Sequence, residues 1–326
     1  MIISKTPLRI CLGGGGTDIK EYYSDHGGFV ISAAINKFVY VIINQHEDGD
    51  FHLIKSNREI VHSLQEVYHP IAKEVINYLD IKGDFEILTV SDIPASSGLG
   101  TSSSFTVGII KALFAYKKVT VTNYEIAEIA CKIERDILRE PGGKQDQYIA
   151  AFGGITWFEF KKDDSVTVSP LRINHNSIEM LEKGLLIFNI GDTRSSSAIQ
   201  GGVISKLKKG ISSSEHLHMV KELGFKAKEI FENNNIDEYG QIMHQHWNYK
   251  KELSGAITNP KIDSLYEIGM SAGSLGGKVI GAGGGGYIMF YNQLRQEELI
   301  EKMNEQGLPE LHFRFEFDGS KIIIHE

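Results

Sequence analysis

The chain has 326 residues and a formal net charge of −8; 41% of its residues are hydrophobic and 23% are charged. This length exceeds one ordinary hydrophobic core, so we expect two domains. The composition is globular rather than disordered, and the negative charge argues against nucleic acid or an anionic membrane as the main partner. No stretch approaches membrane-spanning length and the start lacks a signal-peptide pattern, so we expect a cytoplasmic protein. Cys11 and Cys131 lie far apart and are expected to be reduced thiols.

Apolar periodicity predicts mixed strands and helices along the whole chain. Strands are predicted at residues 1–10, 29–32, 38–44, 85–90, 154–160, 185–190, 278–280 and 287–291. Helices are predicted from residue 104, from the capping box Thr122–Glu125 to about Pro141, over 200–253 as exposed helices, and around 262–270. The alternating run 312–317, Asp318-Gly319 and the run 321–324 predict a terminal hairpin. This pattern predicts an α+β fold with domains 1–172 and 173–326 and a cleft between them.

Three glycine-rich loops lie at residues 13–18, 94–104 and 281–286. Glycine lets backbone N–H groups approach a ligand closely, and the hydroxyl-rich middle loop runs straight into a predicted helix, where a phosphate prefers to bind. A Walker A loop is absent from the sequence. The last loop matches Gly-x-Gly-x-x-Gly but precedes a predicted strand, whereas a dinucleotide-binding loop must open a helix. The loops therefore predict a nucleotide site of another kind.

Together and in this order, the loops resemble the three motifs of the GHMP kinases. The matching segments are Pro7-Leu-Arg-Ile-Cys-Leu-Gly-Gly-Gly-Gly-Thr-Asp18, Pro94-Ala-Ser-Ser-Gly-Leu-Gly-Thr-Ser-Ser103 and Lys278-Val-Ile-Gly-Ala-Gly-Gly-Gly-Gly-Tyr287. The resemblance implies ATP and Mg²⁺ as cofactors. It also implies a ribosomal protein S5 domain 2-like N-terminal domain and a ferredoxin-like C-terminal domain. The Gly14-Gly-Gly-Thr-Asp18 form of the first motif resembles bacterial D-glycero-D-manno-heptose 7-phosphate kinases and, more distantly, fucokinase domains.

The resemblance also implies roles for individual residues. Asp146 and Arg9 are the predicted catalytic pair, and Ser102 and Glu134 are the predicted Mg²⁺ ligands. Predicted ATP contacts are Pro94, Ser96, Ser97, Gly98, Leu99, Gly100, Thr101, Ser102 and Ser103. Predicted substrate contacts are Gly14, Gly15, Gly16, Thr17, Asp18, Lys144, Arg194, Gly284 and Gly285. Lys250 and Ser195–Ser197 are further candidates for binding a substrate phosphate, and residues 283–286 are expected mainly to support the active-site loops.

Structural alternatives stay open for each role. Arg9 could be a surface residue on a strand edge, Asp146 a turn aspartate, Glu134 a solvent-facing residue and Asp18 a helix cap. His244 and His246 stand two positions apart, so they do not share a helix face as a metal-binding pair would. We therefore expect this helix to pack beside the substrate cleft.

The resemblance implies transfer of the γ-phosphoryl group of ATP to the anomeric hydroxyl of D-glycero-D-manno-heptose 7-phosphate. The product would be the 1,7-bisphosphate, used for nucleotide-activated heptose synthesis. The predicted partners are this sugar phosphate and ATP, with no prediction of an oligomeric state. The alternatives are a kinase for another sugar such as fucose, a non-catalytic ATP-binding regulatory module, and an ATP-dependent decarboxylase.

Overall fold

The computed structural model describes residues 1–45, 51–54, 58–61, 67–82, 85–95, 97–191, 196–208 and 213–325. Its strands are β1 (Ile2–Gly13), β2 (Gly28–Gln45), β3 (Phe51–Ile54), β4 (Arg58–Val61), β5 (Phe85–Ser91), β6 (Ile155–Phe160), β7 (Val166–Pro170), β8 (Leu185–Gly191), β9 (Gly276–Val279), β10 (Gly286–Tyr291) and β11 (Lys321–His325).

The α-helices are α1 (Lys20–His26), α2 (Pro70–Tyr78), α3 (Thr101–Tyr116), α4 (Asn123–Cys131), α5 (Gln145–Phe152), α6 (His175–Gly184), α7 (Ser196–Lys208), α8 (Ser213–Glu232), α9 (Tyr239–Leu253), α10 (Pro260–Ser271) and α11 (Gln296–Glu305). A π-helical segment, Lys132–Ile137, continues α4, and a 3₁₀ turn, Ile236–Glu238, precedes α9. The α+β fold class is thus confirmed.

Two sheets organise the described part of the chain. The larger has the strand order β11-β1-β2-β5-β3-β4, with β6 and β7 attached through β2, and the smaller has the order β8-β10-β9. β2 is long enough to pair with β1 along one side and with β6 and then β5 along the other. One hydrophobic core joins residues of both sheets, including Ile187 and Met289 from the smaller one.

The middle glycine loop and α3 lie beside β1. Gly100 takes a left-handed conformation, with φ +83°, and the helix begins at the next residue, three residues earlier than the predicted start. Residues 103–110 of α3 are all buried, and the helix packs on β1 and β2. A hydrophobic helix with four successive hydroxyl residues in its first turn is thereby fixed in the core and presents that turn to the cleft.

The predicted C-terminal hairpin is wrong. β11 pairs antiparallel with β1, with Ile2 opposite His325, and residues 312–317 form only an isolated bridge, between Phe315 and Ile35. Asp-Gly is a local turn signal, and pairing with a strand some 300 residues away outweighs it. The domain boundary at 172–173 stays a prediction, and residues 321–325 belong to the first sheet.

The capping box is confirmed, because the Thr122 hydroxyl accepts from the Glu125 amide and the Glu125 carboxylate accepts from Thr122 in return. The helices predicted within 200–253 are also present, but the prediction that they are exposed is wrong: α7 buries Val203, α8 buries Phe231, and the buried face of α9 is extensive. α9 buries Met243 in the larger hydrophobic core and Trp247 in a second core with Tyr266 of α10, and His246 is buried as well. Its sequence is rich in lysine and histidine, so its composition concealed the buried face.

Candidate active site

Arg9 and Asp146 form a largely buried ion pair where β1, α5 and the middle glycine loop meet. The Arg9 guanidinium donates from Nε to Oδ1 of Asp146 at 2.7 Å and from Nη2 to Oδ2 at 2.6 Å. Nη1 donates to the carbonyl oxygen of Gly98 at 2.5 Å, which ties the pair to the loop. Arg9 is only 5% exposed, so it is not a surface residue on a strand edge. The bidentate geometry fixes the orientation of the carboxylate.

The charge of Arg9 is permanent in this setting. Burial by itself would lower the pKa of Arg9, but the charge and hydrogen bond of Asp146 raise it above the ordinary value. A fixed positive charge in a partly desolvated site stabilises negative charge that develops beside it. The pair is therefore suited to hold a transferring anionic group.

The first turn of α3 borders an open cleft of about 690 Å³. Hydroxyls of Thr101, Ser102 and Ser103 line it, together with Pro94, Ser97, Gly98 and Gly100. The first N–H groups of a helix have no intrahelical partner, and the positive end of its dipole favours an anion there. Leu99 is buried in the core, and its carbonyl accepts from the Arg9 amide at 3.0 Å, so its side chain supports the loop rather than lining the cleft.

Gly98 and Gly281 let the second and third glycine loops touch. A Cβ on Gly281 would lie 2.6 Å from the Gly98 carbonyl oxygen, and one on Gly98 would lie 2.8 Å from that of Ile280. Both residues also have positive φ, +80° at Gly98 and +74° at Gly281. The third loop therefore supports the middle glycine loop, here called the phosphate loop after the role predicted for it.

Glu134 lies on the π-helical segment and is buried beneath the α3 hydroxyls. Its Oε2 accepts from Ser103 Oγ at 3.0 Å and from Gln147 Nε2 at 2.8 Å. Its Oε1 is buried and has no hydrogen-bond partner among the described residues. A buried carboxylate oxygen without a partner is costly unless a cation or donor reaches it, and oxygen ligands of this kind suit Mg²⁺. Glu134 is therefore not a solvent-facing residue, and Ser102 lies at the same cleft.

Asp18 lines the same pocket as Arg9 and Asp146. Its Oδ2 accepts from the Gln145 amide at 3.0 Å, and its Oδ1 accepts from the Gly16 amide at 3.1 Å. Burial is the main reason that the pKa of Asp18 is raised, and the charge of Asp146 adds to it. Asp18 makes no capping bond to α1, whose cap residue is Ile19, so the helix-cap alternative fails.

Gly143 must be glycine for Asp18 to sit as it does. A Cβ at this position would collide with the Asp18 carboxylate. The Gly142-Gly143 turn thus brings the N-terminus of α5, with Asp146 in its first turn, against the first glycine loop. Two motifs that are more than 120 residues apart in the sequence are joined here.

Two cavities share the wall that contains Asp146. The first is the α3 cleft, and the second is a narrower pocket lined by Asp18, Gly15 and Gly16 of the first loop. Residues that line both are Arg9, Arg135, Asp146, Gln200, Gly281 and Ala282. We call the first the phosphate-loop cleft and the second the inner pocket. A group bound in one can meet a group bound in the other beside Asp146.

Several predicted contacts lie away from these cavities. The Thr17 hydroxyl donates to the Gly14 carbonyl at 2.8 Å and accepts from the Phe29 amide at 3.0 Å, so both residues shape the loop from behind. Gly284 donates its amide to Ile257 at 2.7 Å, and neither it nor Gly285 lines either cavity. Ser96, Arg194 and Ser195 lie outside the described residues.

Lys144 is also held apart from the Arg9–Asp146 pair. Its Nζ lies 3.0 Å from Oδ1 of Asp164 and 3.5 Å from Oε1 of Glu128, in a third cavity. Burial would lower the pKa of Lys144, but these carboxylates raise it. These carboxylates compensate its charge, and Lys144 does not line the inner pocket.

Sequence reasoning missed part of the shared wall. Arg135 Nη2 lies 3.3 Å from Oε2 of Glu134, and its Nε donates to the Gly143 carbonyl at 3.0 Å. A basic residue next to Glu134 was visible in the sequence, but a charge at a helix end is commonly solvated. Gln145 and Gln200 gave no signal, because an amide side chain in a polar stretch is typical of any surface.

No described helix is long and apolar enough to cross a bilayer. Nor do the described ranges contain a cluster of three or more His, Cys, Asp or Glu residues that could hold a metal by themselves.

Two protein-family models match this chain, one in each half. The family described as GHMP kinases N terminal domain matches residues 65–154, and the family described as GHMP kinases C terminal matches residues 227–308.

Similar proteins and solved structures agree with these matches. The D-glycero-alpha-D-manno-heptose 7-phosphate kinase of Campylobacter jejuni is 32% identical, and the alignment covers 98% of each protein. The bifunctional fucokinase/GDP-fucose pyrophosphorylase of Arabidopsis thaliana is 26% identical over 92% of this chain but only 31% of its own length. The crystal structure of a D-glycero-D-manno-heptose 1-phosphate kinase from Bacteroides thetaiotaomicron superposes with a TM-score of 0.83 at 28% identity and covers all of both chains.

Proposed function

Since this chain belongs to the GHMP kinase family and is an ATP-dependent sugar kinase, we propose that its acceptor is D-glycero-D-manno-heptose 7-phosphate. The proposed reaction moves the γ-phosphoryl group to the anomeric hydroxyl and gives the 1,7-bisphosphate for nucleotide-activated heptose synthesis. Support comes from the Campylobacter jejuni relative, whose name states a heptose 7-phosphate substrate, and from the Gly14–Asp18 motif.

The observation that carries the proposal is the position of Asp146 where the two cavities meet. ATP in the phosphate-loop cleft would present its γ-phosphorus to an acceptor hydroxyl in the inner pocket. The new bond forms from that hydroxyl oxygen to phosphorus, the bond to the bridging oxygen breaks, and ADP leaves. Asp146 orients the hydroxyl and takes its proton, while Arg9 stabilises the charge of the transferring group.

Asp18 would select the sugar. Its carboxylate is buried at the inner pocket and already accepts backbone N–H groups, so it is rigidly placed. A sugar hydroxyl that donates to it would make a charge-assisted hydrogen bond. The neighbouring Gly15 and Gly16 leave room for the ring to approach the backbone.

We further propose that Glu134 and Ser102 hold Mg²⁺, which would neutralise the β- and γ-phosphates when bound. Glu134→Gln keeps the shape and the bond from Ser103 but removes the charge. We expect the Mg²⁺ concentration for half-maximal activity to rise about 10-fold or more. Titration of activity with Mg²⁺ at fixed ATP measures this; an unchanged Mg²⁺ requirement would remove Glu134 from the proposed metal site.

The test of the acceptor is ADP release with Mg-ATP across a panel of sugars. The panel contains D-glycero-D-manno-heptose 7-phosphate, sedoheptulose 7-phosphate, mannose 6-phosphate, free heptose, fucose and galactose, with Asp146→Asn as the inactive control. We expect turnover with the heptose 7-phosphate, lowered about 100-fold or more in the control. Preference for fucose or another free sugar would overturn this acceptor, and silence across the panel with ATP still bound would favour a regulatory module.

A further inference from the structure

The inner pocket has a basic far wall that the proposed reaction does not use. His246 and Lys250 come from α9, and Lys278 comes from β9; all three line the pocket that also contains Asp18. His246 is 3% exposed and Lys278 is 2% exposed. These three side chains, here called the basic wall, lie in the same cavity as Arg9 and Asp146.

The charges of the basic wall have no anionic partner among the described residues. Lys250 Nζ donates to the carbonyl oxygens of Val279, at 3.1 Å, and Gly281, at 2.6 Å. Lys278 Nζ donates to the Leu12 carbonyl at 3.3 Å. Carbonyls orient an ammonium group but leave its net charge uncompensated. Each lysine has three N–H donors, so donors remain for a ligand.

His246 is the clearest sign of a missing partner. Both of its ring nitrogens are buried, and neither has a hydrogen-bond partner among the described residues. Burying unpaired polar groups is costly, and each such group in a native protein calls for an explanation. His246 is one of the residues that line the inner pocket, so a ligand bound there can provide that partner.

The other charged groups of the pocket are already committed. Asp146 pairs with Arg9, and Asp18 accepts from the amides of Gly16 and Gln145. Burial and the neighbouring Lys278 charge lower the pKa of Lys250 to about 7, and burial lowers that of Lys278 as well. Without a ligand the pocket therefore disfavours the protonated form of both lysines, and an anion bound beside them would stabilise that form.

We propose that His246, Lys250 and Lys278 bind the phosphate group that the acceptor already carries. This inference rests on the proposed function, since it assigns one end of a sugar phosphate to the basic wall and its reacting hydroxyl to Asp146. The ligand chemistry is a phosphate monoester or free phosphate, and the pocket recognises the anion by charge and N–H donors. Lys144, whose charge two carboxylates compensate, is not part of this site.

The variants for the test are Lys250→Met and Lys278→Met, which keep an apolar stem of similar length and remove the charge. Lys251→Met is the matched control. Its ammonium group lies on the same helix, near the rings of Trp247 and Tyr266 at 6.0 and 5.9 Å, and does not line the pocket.

The first measurement is kcat/KM for D-glycero-D-manno-heptose 7-phosphate divided by that for unphosphorylated heptose. Loss of one hydrogen-bonded charge should lower this ratio about 10- to 100-fold in either pocket variant, with the ratio of Lys251→Met unchanged. A fall in activity that is equal for both acceptors would contradict phosphate binding by the basic wall, because a general structural defect does not discriminate between them.

A second measurement does not depend on turnover. Inorganic phosphate should raise the Tm of the wild-type protein and of Lys251→Met, and it should have a smaller effect on Lys250→Met and Lys278→Met. The heptose 7-phosphate should act at lower concentration than inorganic phosphate if a sugar phosphate is the natural source. If no acceptor of the panel is phosphorylated while this Tm pattern is observed, the proposed reaction is wrong and the proposed anion site is supported. Equal Tm shifts in all four proteins would overturn the anion site whatever the activity.

Discussion

Arg9 makes three hydrogen bonds at once, two to Asp146 and one to the Gly98 carbonyl. Lysine has one compact ammonium group and cannot reproduce the bidentate pair. We therefore expect Arg9→Lys to lower kcat about 10- to 100-fold, with a smaller change in the KM for ATP. Steady-state kinetics measure both constants, and thermal unfolding checks that the fold survives. An unchanged kcat would mean that a positive charge alone suffices at this position.

Lys250 should also make stability depend on pH. Its pKa is about 7 in the folded protein and 10.5 ordinarily, so between these values the unfolded chain binds the proton and the folded protein does not. Burial of Lys250 therefore destabilises the folded protein most below about pH 7. The free energy of unfolding rises as the pH increases from about 7 to 10.5, where this destabilisation ends. The gain in free energy of unfolding of Lys250→Met over the wild type should be larger at pH 6 than at pH 9.5 by at least about 1 kcal/mol. Urea unfolding in phosphate-free buffer measures this, and a pH-independent difference would contradict it.

The residues that the sequence singled out beside glycine motifs lie together in the structure, and their roles stay predictions. Arg9, Asp18 and Asp146 all lie within a few residues of one. His246 and Lys278 were not predicted as site residues. They reach the inner pocket only because α9 packs on β9, and no local sequence pattern indicates that packing.

At the scale of elements, the third glycine loop should fix the position of the second, because Gly281 lies against the backbone of Gly98. Gly281→Ala would place a methyl group against the Gly98 carbonyl and displace the phosphate loop. Gly307→Ala is a matched control, because Gly307 has a similar φ of +73° but no atom lies within 4 Å of the position that its added methyl group would take. Both variants should lose about 1 kcal/mol of stability from backbone strain. We expect only Gly281→Ala to raise the KM for ATP, about 5-fold or more on the scale of displaced catalytic loops.

Kinetics and urea unfolding of the two variants separate these effects. Equal KM values for ATP would show that the contact between the loops has no part in binding.

Elements with local signals were predictable, and those that depend on distant partners were not. The α4 capping box, the strand before the phosphate loop and the helix after it could all be read from neighbouring residues. The terminal hairpin failed because the partner of β11 is β1, at the other end of the chain. The π-helical segment that positions Glu134 also left no pattern, since its apolar stripe matches an ordinary α-helix.

At the scale of the whole molecule, the two ends of the described chain meet in one sheet, because β1 pairs with β11. β1 carries Arg9, pairs with β2 along one edge and with β11 along the other. Deleting residues 321–326 would leave the edge of β1 at Ile2–Lys5 without a partner strand, while its pairing with β2 would remain. We expect a loss of stability of about 2 kcal/mol or more and increased aggregation through the open strand edge.

Unfolding and light scattering measure these two effects. Ile323→Ser is the control, since it alters a side chain that is 45% exposed but keeps the backbone pairing. A truncated protein as stable and monodisperse as this control would show that β11 contributes nothing to the sheet.

The position of β11 also has a consequence for biosynthesis. Of the described elements it is the last to leave the ribosome, roughly 300 residues after the strand that it completes. At about 5–20 residues per second, the outer edge of β1 stays open for roughly 15–60 s of translation. During that interval neighbouring nascent chains on one messenger RNA can compete for the edge. The yield of correctly folded enzyme should therefore depend on the speed of the ribosome and on chaperones that shield this strand, as well as on the stability of the finished fold.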